Sequence, residues 1–198
     1  MRSLREVGLR VGLPVILAGG LTLAWIASAQ QSAAPSNPAA MFTRIASVLQ
    51  SPRCLNCHTV TDYPRQGDDR HAHIFFISRG PDDRGVPFAR CTSCHGDANN
   101  DATGIPGRPD WHMAPLSMGW ERLSPGQLCH RLLDPADNGH RTPEQIYEHI
   151  AFDQQFVAWA WSPGRNIQGV QRTVPPIARP EFSELVKQWV AAGAPCPQ

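Results

Sequence analysis

An excess of charge of either sign is missing from this chain. Its 18 Lys and Arg stand against 17 Asp and Glu, a formal charge of +1. No basic surplus is left to grip a phosphate backbone, which excludes nucleic acid as a partner. Lysine is nearly absent as well: Lys187 stands alone, and every other basic residue is arginine. Arginine makes planar, bidentate contacts with carboxylates, so part of this set is suited to fixed anionic groups and the rest to solvent. Nothing in the chain looks like a molybdopterin or iron–sulfur domain, and no signalling domain is visible. Long apolar runs are absent too, with a single exception at the start.

That exception is the stretch "MRSLREVGLRVGLPVILAGGLTLAWIASAQ". Arg2, Arg5 and Arg10 make a basic start, residues 11–26 are largely apolar, and Ala27-Ser28-Ala29 offers small residues for cleavage. The layout predicts a signal peptide over 1–29, cut before Gln30. Left uncut, the 19 residues from 11 to 29 would be long enough to act as a membrane anchor. Either outcome predicts an exported, periplasmic protein, held close to a membrane if the segment stays. Residues 30–40, "QQSAAPSNPAA", read as a flexible linker. Residues 41–198 have the length of one domain.

Cysteine is sparse, six in all, yet four fall into one repeated pattern. Residues 54–58 read "CLNCH" and residues 91–95 read "CTSCH". On a helical turn, positions i, i+3 and i+4 share a face. Cys54 and Cys57 can thus meet the two vinyl groups of one porphyrin while His58 faces the iron; Cys91, Cys94 and His95 repeat this. The pattern is that of covalent c-type haem attachment. Four thiolates on one zinc, or two disulfides, are the competing readings. Neither explains a histidine after both pairs. The expectation is two haem c groups. The motifs start 37 residues apart, too close for two tandem single-haem domains, so both haems belong to one domain.

The rest of the chain reads as helices among irregular loops. "MFTRIASVLQS" (41–51) carries apolar residues at helical spacing and leads into the first motif. Ser124-Pro125 and Thr142-Pro143 open helices over "SPGQLCHRLLD" and "TPEQIYEHIAF", the second with a capping-box Gln145. "PEFSELVKQWVAAG" is a last helix stopped by Gly193. "HIFFIS" (73–78) is the one strand candidate. Gly and Pro are plentiful, 16 and 19 residues, as expected if flat macrocycles supply part of the core. The predicted fold class is mainly α with much irregular loop, one dihaem cytochrome domain wrapped around two closely spaced haems. The five tryptophans after residue 40 are expected to pack there or on the helices.

The segment from "CLNCH" to "CTSCH", with "HAHIFFISRGPDDRG" between, resembles the small dihaem subunit of periplasmic nitrate reductase. "PDWHMAPLSMGW", "LCHRLLDPADNGHRT" and "AWAWSPG" resemble small cytochrome subunits of isoquinoline 1-oxidoreductase-type molybdenum hydroxylases. The resemblance implies an electron-accepting subunit whose partner is a redox protein, such as a molybdenum hydroxylase or another dehydrogenase. It implies no hydroxylase active site. The expected role is therefore periplasmic electron transfer rather than catalysis. The alternatives are a dihaem enzyme of the peroxidase or thiosulfate-oxidising type, and a haem-based sensor with an open iron.

Sixth ligands separate these roles, because a saturated iron transfers electrons and an open one binds ligands. His73, and after it His71, is tethered between the motifs and is the first candidate. His112 and Met118 compete for the second iron. His149 lies inside a predicted helix and stands apart; His130 and His140 suit the surface. Cys129 and Cys196 are expected to form a disulfide after export. "GQLCH" (126–130) looks like a broken third motif, with Gly126 where a first cysteine would stand.

Overall fold

Two structural halves divide the work: a helical layer with its own apolar core, and a loop region that carries both Cys-x-x-Cys-His motifs. The computed structural model describes residues 37–198. The expected signal peptide and linker residues 30–36 lie outside them. Helix α1 (Pro38–Leu49) starts inside the expected linker. Asn37 accepts a hydrogen bond from the Ala39 amide and Pro38 fills the first turn, so the helix begins three residues earlier than its apolar pattern indicates. Helix α2 (Pro52–Leu55) follows at once and holds the first motif's opening cysteine.

The segment "HIFFIS" is not a strand. Phe75 and Phe76 have φ of 64° and 51°, which breaks any extended run, and Ile74–Phe76 form a 3₁₀ turn. The strands are shorter. β1 (Arg65–Gln66) pairs antiparallel with β2 (His71–Ala72), and β3 (Gly85–Val86) with β4 (Ala89–Arg90). β4 runs directly into a 3₁₀ turn, Cys91–Ser93, that opens the second motif.

Four further helices complete the layer: α3 (Pro125–Leu133), α4 (Pro135–Asn138), α5 (Pro143–Phe152) and α6 (Arg179–Ala191). Both α3 and α5 begin with capping boxes, Ser124 with Gln127 and Thr142 with Gln145. α1 packs on α3 and α6, and α5 packs on α6. Phe42, Ile45, Val48 and Leu49 of α1 meet Phe182, Leu185, Val186 and Trp189 of α6 in the core, with Leu128, Leu132, Ile146 and Ile150. The Phe42 and Trp189 rings lie 4.9 Å apart. After α6, Gly193 takes φ of 85° and the Ala194 amide returns to the Trp189 carbonyl, ending the helix as the sequence indicates.

The expected disulfide is present. Cys129 on α3 is bonded to Cys196, 67 residues on, and ties the final segment to the helix. Gly126 has its own reason to lack a side chain, because a Cβ there would collide with the Pro197 carbonyl. The broken third motif is therefore the docking site of the C-terminal segment. Among the described residues no helix is long and apolar enough to cross a membrane.

Candidate functional site

From residue 56 to residue 122 the only buried hydrophobic side chains are Met113 and Trp120. Arginines occupy the interior instead. Arg79 pairs with Asp83 and donates to the carbonyls of Thr59, Thr61 and Ala114, joining three loop segments. Arg108 is also buried, its guanidinium 3.4 Å from the centre of the Phe156 ring and 5.2 Å from that of Trp111. A region with this little apolar burial does not form a side-chain core of its own.

The two motifs are built alike. In each, the fourth and fifth residues turn back on the first: the Cys57 and His58 amides donate to the Cys54 carbonyl at 3.2 and 3.0 Å, and the Cys94 and His95 amides to Cys91 at the same distances. The helical turn expected from i, i+3, i+4 spacing therefore exists at both places. In each, the histidine Nδ1 meets a backbone carbonyl, His58 with Met118 at 2.9 Å and His95 with Pro106 at 2.7 Å. With Nδ1 donating, Nε2 is left with its lone pair free. In each, a tryptophan lies flat on the imidazole: Trp120 on His58 at 3.5 Å and 10°, Trp111 on His95 at 4.4 Å and 4°. The Trp120 amide also donates to the His58 carbonyl, so that residue clamps its histidine twice.

Burial holds both histidines neutral, the ligating form; it pushes His58 down to about 4 and lowers His95 as well. Burial also pushes the Cys54 thiol up to about 11. Cys54, Cys57, Cys91 and Cys94 are all free. They do not converge on a common point: among the described residues no three His, Cys, Asp or Glu side chains are grouped to hold a bare metal ion. None of the four is bonded to another cysteine.

A cavity of about 680 Å³, within the size range of cofactor sites, is lined by the second motif and by part of the first, with Cys54 and His58 outside its lining. Cys57 lines it from the first motif, and Cys91, Cys94 and His95 from the second. His71, His73 and His112 stand on its wall. The His73 ring centre lies 6.0 Å from that of His95, the planes at 66°. The His73 Nδ1 is bonded to the Ile74 carbonyl at 2.7 Å, which again leaves Nε2 free. His71 is more exposed and its Nδ1 is bonded to Asp69 at 2.7 Å. His112 donates from Nδ1 to the Asp110 carbonyl and sits edge-on to Phe156.

Met118, a candidate for a sixth position, approaches His58 through its backbone. Its carbonyl, not its sulfur, meets His58, and its side chain packs against the helical core. His130 and His140 are exposed, as their surroundings in the sequence indicate. His149 on α5 comes close enough to His58 for its charge to oppose protonation there, although a position inside a helix gave no sign of this. Sequence reasoning also missed Trp111 and Trp120 as stacking partners, since a tryptophan in a loop carries no mark of what it covers. A further signal was available: an arginine precedes each motif, and each pairs with an aspartate of a nearby Asp-Asp-Arg run, Arg53 with Asp68 and Arg90 with Asp82.

No protein-family model matches the chain, and neither a curated protein nor a solved structure does.

Proposed function

We propose that this chain is an exported dihaem c-type cytochrome whose work is outer-sphere electron transfer. The observation that carries the reading is the duplicated setting of His58 and His95: the same cysteine turn, the same Nδ1-to-carbonyl bond and the same stacked tryptophan. Cys54 and Cys57 would hold one haem with His58 on its iron, and Cys91, Cys94 and His95 the other. The bound haems supply a reversible one-electron Fe(III)/Fe(II) couple.

The chain's own residues fix everything around that couple. A carbonyl on Nδ1 sets the tautomer, orients the ring and makes the imidazole a better donor. Each tryptophan blocks the ring from turning. His73 suits the sixth position opposite His95. Its ring centre lies 6.0 Å from that of His95 and its Nδ1 is already bonded, so it would have Nε2 available to help hold an iron there. His112, which lines the same cavity as Cys57, would suit the other iron, with Met118 as its rival. A loop region with little apolar burial gains a core once macrocycles fill it.

The electrons would pass to or from a partner redox protein, of the molybdenum hydroxylase or other dehydrogenase class that the sequence resemblance implies. If a second protein side chain holds each iron, no open site would be left for a substrate. The test is the protein matured in a host with haem-attachment machinery. Intact mass should show two covalent haems, Cys57→Ala and Cys94→Ala at most one each firmly attached. A wild-type chain carrying none would end this reading.

A further inference from the structure

Two guanidinium groups on the cavity wall, those of buried Arg53 and half-buried Arg172, have no role in the arrangement above. Arg53 precedes the first motif, and its side chain is 2% exposed. One amino group binds Asp68 and the Gly67 carbonyl, but Nε is buried with no hydrogen-bond partner. Arg172 arrives from a distant loop and lines the same cavity. Its guanidinium donates only to the carbonyls of Gly104, Pro163 and Arg165, so none of its bonds neutralises its charge. Asp68 lies between these segments, one oxygen on Arg53 and the other accepting from the Thr173 amide at 3.2 Å. Burial and the nearby charge of Arg53 both oppose the charge on Arg172, and Asp101 and Asp68 offset this in part. Arg53, deeply buried with Asp68 as its one ion-pair partner, is costly to hold beside a second cation at one cavity. An incoming anion would offset that cost.

We infer that Arg53 and Arg172 form a receiving site for the propionate carboxylates of the haem that occupies this cavity. The inference rests on the proposed haem reading and adds where the carboxylate edge is held. A porphyrin fixed by Cys91 and Cys94 through its vinyl edge presents its propionates to the remaining wall. Arginine is the side chain suited to grip them, through paired, charge-assisted N–H···O bonds. The unpartnered Nε of Arg53 is a donor in waiting, and Arg172 supplies the charge that Asp68 does not cancel. Fixed positive charge near an iron favours the reduced state, so the pair also raises that haem's potential.

The experiment compares holoprotein variants Arg172→Gln, Arg53→Gln and Asp68→Asn by haem count and spectroelectrochemical titration. All three should keep two covalent haems, because the thioethers do not depend on these residues. Each arginine variant should shift one haem's one-electron equilibrium about tenfold toward the oxidised state, which is 59 mV downward, and leave the other unchanged. Asp68→Asn should move the same haem upward. Asp68 is 43% exposed in its side chain, so that variant keeps the test alive if Arg53→Gln does not fold. Two haems with both potentials unchanged in Arg172→Gln and Asp68→Asn would overturn the site. A wild-type protein without covalent haem would instead defeat the haem reading itself.

Discussion

His58 is where a single residue's chemistry is most legible. Folding buries its ring and lowers its affinity for a proton, to a pKa of about 4, while the unfolded value is near 6.5. The unfolded chain therefore gains a proton first as pH falls. Stability from this group is complete above about pH 6.5, declines between there and about pH 4, and is constant below. For the haem-free chain the loss should reach up to about 3 kcal/mol, measurable by urea unfolding at stepped pH. If haem is attached and its iron holds Nε2, this acid step should vanish. His73 gives the second prediction at this scale. His73→Ala should turn one haem high-spin and leave the other low-spin in the visible and magnetic-resonance spectra. His71→Ala should change neither, because His71 is drawn toward Asp69 rather than His95. The opposite result would exchange their roles.

Among the elements, α3 bears the heaviest structural duty. It contributes Leu128 and Leu132 to the core and carries the bond to Cys196. Losing a native disulfide of an exported domain costs about 2–5 kcal/mol. Cys129→Ser should lower the thermal midpoint accordingly without altering haem number. Gly126→Ala should destabilise as well, with the disulfide intact, since the new methyl group would push the last residues away from the helix. Thiol labelling under denaturing, non-reducing conditions separates the two cases. The start of α5 offers a milder check: Thr142→Ala removes the side-chain cap on the Gln145 amide and should cost about 1 kcal/mol by urea unfolding.

At the scale of the whole molecule, the helical layer is a frame and the loop region a holder. The frame is complete in its own side chains; the loop region buries few, and its cavity mixes arginine and histidine with apolar side chains such as Ile74, Ile105, Trp111 and Trp159. Cys57 of the first motif and Cys91, Cys94 and His95 of the second line one cavity, so haems held by the two motifs would lie close together, which suits rapid passage of an electron between them. If both irons are saturated, carbon monoxide added to the reduced protein should change the spectrum little. Rapid, stoichiometric binding would reveal an open iron and favour an enzyme or a sensor over a carrier.

The chain alone determined what depends on neighbours in sequence. The two Cys-x-x-Cys-His turns follow from spacing, the starts of α3 and α5 from Ser-Pro and Thr-Pro caps, and the end of α6 from Gly193, because hydrogen bonds three or four residues apart are written locally. The pairing of Cys129 with Cys196 was legible for a different reason: no other cysteines remained once the motifs were set aside. Only tertiary structure decided the rest. It made a turn of "HIFFIS", where two positive φ angles override the β-forming side chains. It laid Trp120 and Trp111 on the two histidines from 62 and 16 positions away, chose the Met118 carbonyl over its sulfur, set His73 across from His95, and brought Arg172 beside Arg53. Those are meetings of distant segments. Their outcome depends on the path of irregular loops, which hydrophobic periodicity does not encode.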